Sequence, residues 1–256
     1  MHRGTILDLP KRHPGDVQSP CAACTVRDLS ICSALEPAQL TSLTNIVTDI
    51  SISPGQSVFF EGDPAEHLFV LRDGCARVCK VLADGRRMIT GFFFPSDIVG
   101  LAEDVTYAYS CEAVTRISLC RFPRKALQSL FVEFPALEQR VLSVATNELA
   151  AAQDQMVLLG RKTASEKLAS FLLLLSSRAS RRNARRDELF LPMSRNDIGD
   201  HLGLTTESVS RCFTRLRKQE IIRLDAAHTI TILDRDRLMA LSGSGDSGIE
   251  PSAAVL

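Results

Sequence analysis

Residues 194–218, SRNDIGDHLGLTTESVSRCFTRLRK, read as helix, turn, helix. Gly203 suits the tight turn, and Thr205 suits the N-cap of the second helix, where a hydroxyl accepts a bond from an otherwise unpaired backbone N–H. Ile198, Leu202, Leu204, Val209, Phe213 and Leu216 are spaced to share one small core. On the second helix Val209, Cys212, Phe213 and Leu216 stand at i, i+3, i+4 and i+7 and must face inward. Glu207, Ser210, Arg211, Thr214 and Arg215 then occupy the outer face, with Thr206 at its N-terminal end. Such a set can read base edges: arginine bonds bidentately to guanine O6 and N7, a carboxylate accepts from the cytosine amino group, and serine adapts to several partners. The competing reading is a solvated face on a plain helical hairpin. Turn, core spacing, polar face and a strand-like alternation at 229–233 together favour double-stranded DNA.

The charge distribution agrees. The chain carries 30 Lys and Arg against 30 Asp and Glu, a balance that by itself gives no hint of a polyanionic partner. Residues 161–224 nevertheless hold fourteen basic and seven acidic residues, a local net charge of +7 that the remainder offsets. Basic residues in a loop expected at 178–186 would add phosphate contacts, each steepening the log–log salt dependence by about 0.9. Before that loop, Glu166, Leu168, Phe171, Leu172 and Leu175 follow a helical pattern; after it, residues 188–192 read as a short strand.

Upstream the pattern changes twice. From Pro135 to Gly160 there is no other Pro or Gly, and Leu142, Ala145, Leu149, Ala152, Met156 and Leu159 recur at spacings of 3, 4, 3, 4 and 3. That is a heptad seam, the geometry by which a helix pairs with its own copy; the alternative is a helix packed on its own domain. Two alanines on the seam contribute little area, so a homodimer built on it would be weak and switchable. Residues 50–123 are instead punctuated by glycine-centred turns between short apolar runs at 57–60, 67–72 and 88–94, which suggests an antiparallel barrel or jelly roll. A chain of 256 residues with 45% hydrophobic and 23% charged residues is long enough for two cores and too apolar to be disordered over most of its length.

No apolar run approaches the roughly 18 residues that cross a bilayer, and the start lacks a secretory h-region, so a cytoplasmic protein without a membrane partner is expected. Eight cysteines in a reducing compartment point to metal or redox use rather than to disulfides. Cys21-x2-Cys24-x7-Cys32 is a chelating pattern beside a proline-containing arm. Three thiolates need a fourth ligand, and the residues alone offer Cys75, Cys79, Cys111 or Cys120 without choosing among them. Cys212 lies on the inward face of the second helix and reads as core.

The run IGDHLGLTTESVSR at 198–211, with Glu207-x-x-Ser210-Arg211, resembles the CRP/FNR superfamily of bacterial transcription factors. The resemblance extends over nearly the whole chain through FFEGD at 59–63, LFVLRDG at 68–74 and ITGFFFPSDIVG at 89–100. It implies an α+β fold: a double-stranded β-helix (jelly-roll) sensor domain of the cyclic-nucleotide-binding type, a long dimerisation helix and a C-terminal winged helix-turn-helix. The expected division is a cysteine-bearing arm at 1–34, the β-roll at 35–134, the dimerisation helix at 135–160, the DNA-binding domain at 161–240 and a disordered tail at 241–256. The E-x-x-S-R pattern is similar to that of the FNR branch, which implies a palindromic operator with TTGAT and ATCAA half-sites, and RNA polymerase as a partner. By that match Arg211 reads the guanine, Glu207 the cytosine of the same pair or its neighbour, and Ser210 a thymine.

The FNR branch also holds a [4Fe-4S] cluster on three N-terminal cysteines and one at the end of the β-roll. The resemblance therefore implies Cys21, Cys24, Cys32 and Cys120 as metal ligands, Cys120 standing just before Phe122-Pro123. The implied function is an oxygen-responsive regulator whose cluster favours the DNA-binding dimer; a four-cysteine zinc site, indifferent to oxygen, is the alternative. Cyclic-nucleotide binding is not expected, since Gly100 is followed by Leu101 and Ser110 is preceded by Tyr109, where cyclic-AMP binders carry Glu and Arg. The chain also departs from the FNR pattern on the seam. Matching Gln153-Asp154 and Leu158-Leu159 puts Ala152 where FNR-type helices carry an acidic residue that opposes dimerisation without the cluster. A metal-dependent redox enzyme is disfavoured, because the five histidines are scattered and no phosphate-binding glycine loop accompanies the cysteines.

Overall fold

The computed structural model describes residues 21, 24–102, 105–182, 186–225 and 228–243. Residues 1–20 of the expected arm and 244–256 of the expected tail lie outside them. Two 3-10 turns, Arg27–Leu29 and Ile31–Ala34, lead into α1 (Leu40–Ile46). Eight strands follow: β1 (Thr48–Ile52), β2 (Ser57–Phe59), β3 (His67–Asp73), β4 (Ala76–Val81), β5 (Arg87–Phe93), β6 (Ile98–Val99), β7 (Ser110–Ala113) and β8 (Ile117–Pro123). They form two four-stranded antiparallel sheets, ordered β1-β8-β3-β6 and β2-β7-β4-β5. Because side chains alternate across a strand, Ile117 and Leu119 of β8 turn inward with Leu71, Phe59, Ala76 and Cys111 to fill the space between the sheets. This is the expected jelly roll.

After the roll come α2 (Arg124–Glu133), α3 (Pro135–Arg161), α4 (Ala164–Arg181), β9 (Glu188–Phe190), α5 (Arg195–Leu202), α6 (Thr206–Lys218), β10 (Ile222–Leu224), β11 (Thr229–Ile232) and α7 (Arg235–Leu241). Strands β10, β11 and β9 make a three-stranded antiparallel wing beside the α5–α6 pair. Pro135 opens α3 at a position whose missing N–H would have no helical partner anyway. Only Leu137 and Val144 of that helix are buried. Leu142, Leu149 and Met156 of the heptad seam are 65%, 61% and 70% exposed, so the fold of one chain leaves this stripe uncovered. No helix among the described residues is long and apolar enough to cross a membrane.

The basic stretch at 178–186 is not all loop. The Thr163–Glu166 capping box starts α4, and its apolar face continues through Phe171, Leu172 and Leu175 to Ala179, carrying the helix to Arg181. Arg178 is buried against the roll, its Nη1 donating to the Phe92 carbonyl at 2.9 Å, and so is withdrawn from any phosphate. The first residues of the expected tail are ordered. Leu241 ends α7, and Ser242 is fully buried with its carbonyl accepting from Lys162 Nζ at 2.8 Å.

Two further features position the site. One core runs across the domain boundary, joining Cys75, Ile89, Phe92 and Phe94 of the roll to Phe171, Leu172, Ile198 and Leu202. Three ion pairs cross it, Arg77 and Arg87 reaching Asp197 at 2.8 and 2.6 Å and Arg87 reaching Asp200 at 2.8 Å, and within the roll Arg77 is also held by Glu112 at 2.7 Å.

Candidate nucleic-acid interface and cysteine cavity

Each part of the α5–α6 pair has a local cause. Ser194 caps α5, accepting from the Asp197 N–H at 3.1 Å while the Asp197 carboxylate accepts from the Ser194 N–H at 3.1 Å. Gly203 adopts the left-handed conformation (φ +61°) that ends α5 and turns the chain. Thr205 caps α6, accepting from the Ser208 N–H at 3.1 Å. Gly199 is a requirement the sequence reading missed: a Cβ there would sit 2.6 Å from the Leu204 carbonyl oxygen, so only glycine lets the turn close on α5.

Val209, Cys212, Phe213 and Leu216 are buried, and Thr206, Glu207, Ser210, Arg211, Thr214 and Arg215 are exposed on one continuous face. Several of the polar side chains have partners within the chain. Glu207 and Arg211 form an i,i+4 ion pair at 2.8 Å, and the Ser210 hydroxyl donates to the Thr206 carbonyl at 2.8 Å. The Thr206 hydroxyl donates to Asn196 Oδ1 at 3.2 Å, and Arg215 Nη1 donates to the Ser165 hydroxyl at 3.2 Å. Arg195 lies over the Phe213 ring, 3.3 Å from its centroid, fixing the start of α5 against α6. The result is a helix presenting guanidinium, carboxylate and hydroxyl groups in a width that a major groove admits.

The cysteines separate into two sets. Cys21, Cys24, Cys32 and Cys120 line one small cavity together with Asp49, Arg72 and Phe122. Cys75, Cys79 and Cys111 are buried elsewhere in the roll, and Cys212 is buried in the core under α6. Residues 21–32 reach the cavity from the N-terminal segment; Cys120 comes from β8, where it is the register partner of Asp49 on β1 and of Val70 on β3. Cys120 Sγ lies 3.9 Å from Asp49 Oδ1, and Asp49 is ion-paired to Arg72 at 2.9 Å. Burial pushes the Cys32 thiol up to about 11, and burial with the Asp49 charge pushes Cys120 up to about 12, so a cation is what would draw thiolates from this site. Among the described residues no group of three or more His, Cys, Asp or Glu is disposed to hold a metal ion directly; the four sulfurs share a cavity rather than a ready coordination sphere. The donor set of four thiols still suits an iron–sulfur cluster or zinc in its chemistry.

The same segment is tied to α3. Ile31 and Leu35 share a core with Leu137 and Val144 of that helix, and Cys32 is a member of the same core. Arg140 Nη2 donates to the Leu29 carbonyl at 3.1 Å.

A jelly roll, a long helix with an uncovered apolar stripe and a winged helix-turn-helix with a polar outer face define a DNA-binding transcription regulator. Residues 49–134 match the cyclic nucleotide-binding domain model and residues 166–241 the Crp-like helix-turn-helix domain model. The nitrogen fixation regulation protein FixK of Bradyrhizobium diazoefficiens is 37% identical over 88% of this chain and 94% of its own. The transcriptional activator protein FnrL of Cereibacter sphaeroides is 33% identical over 89% and 94%. The structure of FixK2 from Bradyrhizobium japonicum superposes with a TM-score of 0.72 at 36% identity, covering 77% of this chain and 97% of that one. The chain belongs to the CRP/FNR family of transcription regulators, and its relatives are regulators rather than enzymes.

Proposed function

We propose that the protein is an oxygen-responsive transcriptional activator of the cytoplasm that binds an FNR-type palindrome as a homodimer and acts on RNA polymerase. The observation that carries the oxygen-sensing part is the convergence of Cys21, Cys24, Cys32 and Cys120 on one cavity, from two segments about ninety residues apart. These four residues would hold a [4Fe-4S] cluster, which supplies an oxygen-labile link between the N-terminal segment and β8. The chain's own residues then carry the consequence. With the segment seated, Ile31 and Leu35 complete the core over Leu137 and Val144 and hold the first half of α3 in place. Held there, α3 offers Leu142, Ala145, Leu149, Ala152, Met156 and Leu159 to a second copy, and two α6 helices are set for successive major grooves. With Ala152 rather than a carboxylate on this stripe, dimerisation is opposed by less repulsion, so the switch is expected to be less sharp than in FNR-type relatives.

The test is anaerobic purification, with an absorbance spectrum, iron and sulfide assays and operator binding before and after air exposure. Near-stoichiometric iron and sulfide, lost in Cys120→Ala but kept in Cys75→Ala, together with weaker operator binding after air, are expected. A colourless zinc protein, or operator affinity indifferent to air, would overturn the oxygen-sensing role and leave the four cysteines a structural metal site.

A further inference from the structure

Arg87 of the roll and Thr206, the first residue of α6, are joined by an unbroken line of hydrogen bonds. Arg87 Nε and Nη2 donate to Asp200 Oδ2 at 2.9 and 2.8 Å. The same oxygen accepts from Asn196 Nδ2 at 3.3 Å, and Asn196 Oδ1 accepts from the Thr206 hydroxyl at 3.2 Å. Asn196 and Thr206 are both exposed, so the last link of the line lies at the surface that α6 presents.

The line runs in one direction only. A guanidinium donates and never accepts, so Asp200 Oδ2 is an acceptor. The side-chain amide of Asn196 has one donor end and one acceptor end; Asp200 takes the donor end, which leaves Oδ1 for Thr206. With the amide turned over, two acceptor oxygens would face each other at Asp200, where Arg87 already holds the carboxylate in place. An amide oxygen cannot donate, so the single hydroxyl proton of Thr206 is committed to Asn196. A free hydroxyl would turn to suit either kind of base edge, whereas this one keeps only lone pairs for a partner outside the chain.

In the major groove adenine N6 and cytosine N4 are donors, while thymine O4 and guanine O6 and N7 are acceptors. We infer that Asn196, oriented by Asp200 and Arg87, sets a base preference of α6: it holds Thr206 as an acceptor, so that the base facing Thr206 is adenine or cytosine rather than guanine or thymine. Thr206 makes the contact, and Asn196 and Asp200 are positioning residues. Through Arg87 the roll takes part in the choice of sequence as well as in the placement of the helix. This preference rests on the proposed entry of α6 into a major groove, and adds to it a position that Glu207, Ser210 and Arg211 do not account for.

Competition binding tests it, with the anaerobically purified full chain and a palindrome of TTGAT and ATCAA half-sites in which each base pair, and the pair flanking each half-site, is replaced in turn by the other three. Wild type is expected to show one position, apart from the one relaxed by Arg211→Ala, where adenine and cytosine on one strand bind alike and guanine and thymine bind about fivefold more weakly. Asn196→Ala keeps the Thr206 hydroxyl but frees its proton, and is expected to bring all four bases at that position within about twofold while preferences elsewhere stay as they are. Thr206→Val, which removes the hydroxyl at constant shape, is expected to do the same. So is Asp200→Ala; since it also weakens the joint with the roll, Asn196→Ala decides if that variant does not fold. Absence of such a position in wild type, an unchanged preference in Asn196→Ala, or a loss of affinity uniform across all duplexes would each overturn the inference. If Arg211→Ala also leaves every preference unchanged, the reading of α6 as the base-contacting helix fails with it; a preference that moves with Arg211 and not with Asn196 overturns the role of Asn196 alone.

Discussion

Arg211 shows how much of a base-reading contact is prepared within one residue's reach. It is exposed, yet its guanidinium is already paired with Glu207 four residues earlier, so two groups proposed to read neighbouring bases are held in one geometry. Arg211→Ala should weaken operator binding by about ten- to a hundredfold and relax preference at one base pair, while binding to unrelated DNA changes little. Competition binding against single-base operator variants measures this, and an unaltered preference would refute the assigned role. His201 shows the opposite extreme, a residue whose environment is entirely tertiary. Its Nδ1 lies 3.0 Å from the Ile89 carbonyl, which only accepts, so Nδ1 carries a proton, and it is burial that disfavours a second one on the ring. Burial, with the Arg178 charge adding to it and the Ile89 bond opposing, lowers its pKa from 6.5 to about 4. The unfolded chain thus takes up a proton that the folded one refuses. The stabilising contribution is complete above pH 6.5 and is lost as the pH falls to about 4, a difference of about 3 kcal/mol. Glu148 acts in the opposite sense, its contribution being present below pH 4.5 and lost as the pH rises through about 8. Urea unfolding of wild type and His201→Asn across this range isolates the histidine: the stability gap between them should shrink on acidification, and a pH-independent gap would contradict a neutral imidazole.

At the scale of elements, α3 is the informative one. Its heptad pattern is legible in the sequence, and the exposed Leu142, Leu149 and Met156 lie on that pattern while Leu137 and Val144 serve the chain's own core. Periodicity alone could not divide the apolar residues between the two uses, because both faces repeat at helical spacing. Leu149→Glu places like charges on facing copies of an apolar seam and should shift sedimentation toward monomer by at least about tenfold in dissociation constant, with the fold of the single chain intact. An unchanged dimer would show that the stripe has another use. The α5–α6 pair was legible in nearly every part, since caps and turn are decided within a few residues. Gly199 was not, because the contact that demands it comes from the far side of the turn.

For the molecule as a whole, the joint between the roll and the DNA-binding half decides how α6 is presented. Asp197 both caps α5 and takes Arg77 and Arg87 from the roll; although burial opposes ionisation, the Ser194 bonds and those two charges hold its carboxyl below the usual range. Arg87→Ala leaves Asp197 and Asp200 short of a partner at a mostly buried joint and should cost about 1–3 kcal/mol of stability. The loss should appear as a lower Tm and faster proteolysis between roll and wing, and a variant as stable as wild type would mean that the apolar core joining Phe92 to Phe171 suffices alone.

The sequence by itself determined the order of the elements, the glycine-punctuated roll, the caps and inward face of the helix-turn-helix, and the close spacing of Cys21, Cys24 and Cys32. All of these are set by neighbours within a turn or two, where periodicity, capping and backbone sterics act. Only the tertiary structure brought Cys120 rather than Cys75, Cys79 or Cys111 to the cavity of Cys21, Cys24 and Cys32, since strand register sets which wall of the roll each sulfur occupies. It also took Arg178 out of the basic surface and placed it beside Glu148, and it joined Arg77 and Arg87 to Asp197 and Asp200. Those partners lie more than a hundred residues apart in the chain, and no local pattern distinguishes a charge that will face solvent from one that will face a carboxylate across a domain joint.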